Sequence, residues 1–140
     1  MEKVKITIVS SGVSEGQALP TDRQIYHGQM AEKGGKYYVL YDEDAQSGLE
    51  GTKTTIKWNQ EQLVIVRNGT VMHRQEFQTG LLINSTYITP YLKLNLGTQT
   101  HYLAAYFQRG VWHLETDYTL YHEGKVYGDM KIRIEVEVEA

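Results

Sequence analysis

His113, Glu115 and Asp117 bring together, at alternate positions of one segment, donor types that hold a divalent metal. Alternate residues of a strand share a face but stand about 6.5 to 7 Å apart along it, so the three converge on one ion only with distortion. A solvated face opposite Trp112 and Leu114 accounts for them better, and His27, His101 and His122 show no ligand spacing. No metal site and no cofactor is expected. Nucleophilic chemistry is no better provided for. The chain has no Ser-x-x-Lys pair, no cysteine, and no glycine loop leading into a helix to cradle a phosphate. Any catalysis would rest on residues gathered by the fold, and no catalytic residue is nominated.

Residues 63–77, LVIVRNGTVMHRQEF, carry polar groups that a cavity could use. Two apolar runs flank Asn68-Gly69, a dipeptide that favours a two-residue type I′ turn. Such a turn sets Arg67 opposite Thr70, Val66 opposite Val71, Ile65 opposite Met72 and Val64 opposite His73. The face bearing Val64, Val66, Val71, His73, Gln75 and Phe77 is the more apolar and is expected inside. Arg67 and Arg74 are then expected outside, with Arg74 near Glu76. A buried amide without partners costs about 1 to 3 kcal/mol, so Gln75 must meet backbone, a tyrosine hydroxyl or a ligand.

Tyrosine is over-represented, eleven residues against two phenylalanines. Its apolar body and polar tip suit a damp interior or an exposed strand face. Tyr37, Val39 and Tyr41 alternate on one face, and a turn at Gly34-Gly35 places them with Gly28 and Met30. Continuing the alternation brings Glu43 to the same side, beside a long loop. The candidate ligand-binding residues are therefore Tyr41, Glu43, His73, Gln75 and Tyr118, with Tyr87 added although the pattern does not fix its face. The rings would supply contact area while Glu43 and Gln75 fixed orientation. The plainer alternative is that the tyrosines pack and Glu43 opens a solvated loop.

The elements that must hold these groups are strands. Period-two alternation recurs throughout, and helical periodicity of useful length does not. From Val126 to Val138 even positions are mostly apolar and odd ones mostly charged, so Ile132, Ile134 and Val136 should be buried and Lys131, Arg133 and Glu135 exposed. A turn at His122–Lys125 joins this segment to a strand over 112–120, forming the longest hairpin. Further strands are expected at 3–10, 23–33, 36–42, 52–58, 62–67, 70–79, 85–96 and 98–107. The short links KGGK, NQEQ, RNGT, NLGT and QRGV make neighbours antiparallel. Only 10–21 and 42–51 read as long loops, the natural lids. A meander of about eight to ten strands hides its edges by closing into an up-and-down barrel, with a two-sheet sandwich as the alternative.

Composition agrees with one all-β domain spanning 1–140. With 41% apolar and 22% charged residues the chain can fill a core. A net charge of -3 with scattered Lys and Arg lacks the footprint of a nucleic-acid binder. No apolar run reaches the length of a membrane span, and MEKVKITIVSSG lacks a signal peptide's apolar segment. A cytoplasmic protein of a bacterium-like cell, with no nucleic-acid or membrane partner and able to form a homodimer, is expected.

The order YYVLYDED, TTIKW, LVIVRNG, FQTG and TYITPY resembles the YwiB-like family of uncharacterised bacterial proteins over nearly the whole chain. The most specific part is Arg67-Asn68-Gly69 followed by Phe77 to Gly80. Leu92 departs from the pattern, where a glycine would follow the Tyr-x-Thr-Pro-aromatic stretch. The resemblance implies a lipocalin-like, or calycin, barrel and supplies no catalytic residue. Three functions remain open: a barrel binding one small ligand in or at its mouth, a structural or protein-interaction module with a filled interior, and, least supported, an enzyme.

Overall fold

The computed structural model describes residues 1–139 as strands and their connections, with no helix among them. Eleven strands form one antiparallel sheet: β1 (Glu2–Ser14), β2 (Gln17–Ala18), β3 (Asp22–Lys33), β4 (Lys36–Asp42), β5 (Thr52–Trp58), β6 (Leu63–Gly69), β7 (His73–Phe77), β8 (Leu82–Ile88), β9 (Lys93–Gln108), β10 (Val111–His122) and β11 (Lys125–Val138). Sequence neighbours pair around the ring. β1 pairs with β11 over ten positions, from Val4 opposite Val138 to Val13 opposite Asp129. The result is the expected lipocalin-like sheet, nearly closed into a barrel. Its seam lies between β7 and β8, where the backbone is joined by the Met72–Ile88 bridge, whose two N–H···O bonds are each 2.9 Å.

Alternation sorts side chains as the physics of a pleated sheet requires. Val4 and Ile6 of β1, Val39 of β4, Ile56 of β5, Phe77 of β7, Leu114 of β10 and Ile134 and Val136 of β11 are fully or almost fully buried. Lys131 and Glu135 are exposed, while Arg133 is half-buried because its guanidinium lies 2.9 Å from Asp117 and donates to the carbonyl oxygens of Thr116 and Ile132. His113 stacks on Tyr106, and Glu115 accepts from the hydroxyls of Tyr102 and Tyr106, so the alternate donors of β10 are occupied separately on its outer face.

The tight hairpins are built on paired left-handed residues. Gly34-Gly35, Arg109-Gly110 and Glu123-Gly124 all have positive φ, as type I′ turns demand. Strands therefore reverse at two ends. The connections after β1, β2, β4, β6, β8 and β10 gather at one, here termed the loop end, and those after β3, β5, β7 and β9 at the opposite end, where Tyr37, Trp58 and Trp112 pack together.

Several boundaries differ from the sequence reading. The stretch 10–21 is mostly not a loop: β1 runs to Ser14 and folds back through Glu15-Gly16 onto β2. NLGT lies inside β9, and the reversal instead uses 89–92. Pro90 cannot donate to a ladder, and the Thr89 hydroxyl accepts from the N–H groups of Tyr91 and Leu92. The last hairpin shares its length with the one before it, since β9–β10 and β10–β11 each pair twelve positions. A bulge after Leu120 turns Val126 out of the interior, leaving it 64% exposed.

Candidate functional site at the loop end of the barrel

The hairpin of residues 63–77 has a different register from the one Asn68-Gly69 suggests. Arg67 faces His73 across the strands, Ile65 faces Gln75 and Leu63 faces Phe77, so residues 68–72 form the connection. Gly69 continues β6 against Thr52, and Met72 is drawn to Ile88 across the seam. A side chain at Gly69 would collide with the Gly51 carbonyl oxygen, 2.2 Å from an ideal Cβ. Close strand approach, not turn formation, requires this glycine. The inner face of β7 is as expected: His73, Gln75 and Phe77 are buried, as is Val71 just ahead of the strand. That of β6 is reversed. Leu63, Ile65 and Arg67 point in, and Val64 lies on the outer face, buried near Tyr38, Lys57 and Arg74. Arg74 does sit outside, 3.4 Å from Glu76.

An inward arginine needs a counter-charge, and β4 supplies it. One residue past the strand, the Glu43 N–H donates to the Thr52 carbonyl at 2.9 Å, which extends the alternation and turns the carboxylate inward. The Glu43 side chain is 2% exposed. It accepts a hydrogen bond from the Thr54 hydroxyl and lies 4.0 Å from Arg67 Nε. Tyr26 and Tyr41 stack beside it with ring centroids 4.3 Å apart. Both phenols are held well above their ordinary pKa, first by burial and then by the charge of Glu43. They remain neutral donors at physiological pH.

On the opposite wall His73 Nε2 is 2.9 Å from Ser85 Oγ, and its ring meets Tyr87 edge-on at 5.3 Å. Burial, with a contribution from the positive charge of Arg67, lowers the His73 pKa to about 4. Its imidazole is therefore neutral. Gln75 Nε2 donates to Thr98 Oγ1 at 3.0 Å. Tyr118, packed edge-on against Phe77 at 5.0 Å, has its pKa pushed up to about 12, chiefly by burial. Arg67 Nε, His73 Nδ1, Thr100 Oγ1 and Thr116 Oγ1 are buried without a hydrogen-bond partner among the described residues. Unmet buried donors and acceptors are rare in folded proteins and carry a cost.

Tyr41, Glu43, His73, Gln75 and Tyr118 are thus all buried, and Tyr87, now fixed, is half-buried on the same inner face. The six residues line the barrel interior from the loop end toward its middle. The sequence reading missed Tyr26, Thr54, Ser85 and Thr98, and placed Arg67 on the wrong side. Tyr26 was within reach, since it alternates with Gly28 and Met30. Of the six, Glu43 alone borders the groove of about 500 Å³ at the rim, which is bounded also by Asp42, Gly51, Thr52, Lys53 and Asn68. A larger groove, about 700 Å³, lies elsewhere, over Gly97 between Asn84, Gln99 and Tyr121.

A family model described as a domain of unknown function, DUF1934, matches residues 6–134. The chain belongs to this family. Among solved structures it is similar to the ywiB protein from Bacillus subtilis, with a TM-score of 0.83 at 20% identity over 99% of this chain and 93% of that one. The YwiB-like assignment fits, and at this identity the likeness speaks to the fold. No curated protein matches the sequence. No helix among the described residues is long and apolar enough to cross a membrane.

Proposed function

We propose that this DUF1934 chain is a bacterial cytoplasmic barrel that binds one small polar ligand at its loop end, over the Glu43–Arg67 pair. The observation that carries the reading is that pair itself. Two opposite charges sit inside a barrel at 4.0 Å with Arg67 Nε lacking an acceptor. A buried ion pair is often no more stable than apolar residues of the same volume, which favours a recognition role over a purely structural one. A ligand with a hydrogen-bond acceptor for Arg67 and a donor for Glu43 matches this chemistry. Tyr26 and Tyr41 offer contact area, and residues 42–51 stand over the opening.

The second reading is an interaction module with a filled interior. It draws support from the dense packing of Ile6, Ile56, Phe77, Leu114 and Ile134 around the barrel centre.

Native mass spectrometry of freshly purified protein should reveal a retained small molecule. Titration of that molecule against Glu43→Gln and Gln75→Leu should weaken binding by about 1 to 3 kcal/mol, roughly five- to 150-fold, with Glu135→Gln as the unaffected control. Protein that carries nothing, or three variants that bind alike, would favour the filled module.

A further inference from the structure

β9 outruns its neighbour. Its pairing with β8 ends at Leu82 opposite Gln99, and the Gly80 N–H and Leu81 carbonyl then bond the backbone of Thr100. Beyond that point β9 pairs only with β10, as far as Gln108 opposite Val111. Residues 102–108, YLAAYFQ, therefore form a free sheet edge among the described residues. The Arg109-Gly110 turn makes Gln108 and Val111 a hydrogen-bonded pair, so Tyr106, Ala104 and Tyr102 also bond toward β10. The N–H and C=O groups of Leu103, Ala105 and Phe107 consequently face outward.

Sheet edges are ordinarily protected by charge, proline, glycine bulges or a covering element. This one has no formally charged residue between Lys93 and Arg109 and no proline. Phe107 is 58% exposed, and Tyr102 and Tyr106 are exposed with it. Leu81 and Leu82 add further exposed apolar surface beside its start.

We propose that this edge is a dimerisation surface on which a second copy of the chain adds its own β9, antiparallel, about a two-fold axis through Ala105. Two features favour self-pairing over an unrelated strand. Antiparallel pairing about an axis joins an edge to itself, and the row of three outward residues is symmetric about Ala105. Leu103 then faces the second copy's Phe107, and the outward groups of all three residues are satisfied. The side chains are complementary in the same register. Ala105 meets its own copy at the axis, and Ala104 leaves room for the opposing Tyr106. No like charges are opposed within the paired stretch. This surface is separate from the loop-end site and does not depend on its role.

Sedimentation velocity at about 100 µM, a concentration that reveals weak association, should show a dimer. Ala105→Pro removes an N–H that the chain's own sheet does not use, and Ala104→Lys places a charge on the outer face of the edge. Both should be monomeric with unchanged far-ultraviolet circular dichroism, while Ile25→Lys, on β3, should dimerise like the parent. Because the chain has no cysteine, Ala105→Cys should oxidise to a covalent dimer, which reports the register even if a disruptive variant fails to fold. A monomeric parent, folded edge variants that dimerise normally, or an Ala105→Cys protein that stays uncrosslinked would each overturn the proposal.

Discussion

Because His73 is neutral and buried, folding stability should fall when acid protonates the unfolded chain. The ring is 6% exposed and its pKa is lowered from 6.5 to about 4 by burial and by Arg67. Between those values the unfolded state binds the proton more readily than the native state. The stabilisation is therefore complete above the unfolded pKa and is lost as pH falls toward the folded one. Integrating the linkage from about pH 7.5 to about pH 5 gives a loss of roughly 2 kcal/mol from this residue. Other groups titrate over the same range, so the measurement is a difference between two proteins. Urea unfolding of the parent and of His73→Gln, followed by the fluorescence of Trp58 and Trp112, should give a parent that loses about 2 kcal/mol more than the variant on acidification. The variant begins lower at neutral pH, and that constant offset cancels. Parallel declines in the two proteins, or a ring that titrates near 6.5 by NMR, would refute the buried neutral histidine.

Further expectations concern the walls. Ile134→Ala should cost about 2 to 5 kcal/mol and Glu135→Ala less than about 0.5, measured by denaturant titration; equal losses would contradict the β11 register. Gly28→Ala should destabilise by about 1 to 3 kcal/mol or more in thermal unfolding, because its Cβ would lie 2.3 Å from the Leu40 carbonyl oxygen and 3.0 Å from Tyr41 Cβ. Arg67→Met should cost roughly 3 to 5 kcal/mol by leaving Glu43 unpaired, and combining it with Glu43→Gln should recover much of that loss.

Where one face of a strand is dry, the sequence was readable. Ile132, Ile134 and Val136 alternate with charged residues, and a slip of one would bury lysine, arginine and glutamate together. The turns at Gly34-Gly35, Arg109-Gly110 and Glu123-Gly124 were legible for a related reason, since each sets a glycine at positive φ between two alternating runs. The hairpin at 63–77 failed both tests. Val64 and Ile65 are each apolar, so β6 carries no strong preference between faces, and Asn68-Gly69 is used for close approach to Thr52. A local rule then gave a register that a long-range contact, Met72 with Ile88, overrides. Arg67 went astray with it, because its partner Glu43 is distant in sequence and meets it only once β4, β5 and β6 are side by side. Glu43 and Gln75 were found because each continues a clear alternation.

The seam gives this barrel a direction of least resistance. The β1–β11 junction is zipped over ten positions, whereas the β7–β8 seam is held by two backbone bonds at the Met72–Ile88 bridge just ahead of β7 and by the side-chain contacts of His73 with Ser85 and Tyr87. Spontaneous opening should therefore begin there, with β7 swinging on β6 while the long strands stay paired. The amides of Met72 and Ile88 would exchange with solvent long before that of Ile6. The residues uncovered first would be His73, Gln75 and Thr98, so that water would reach these polar groups through the wall.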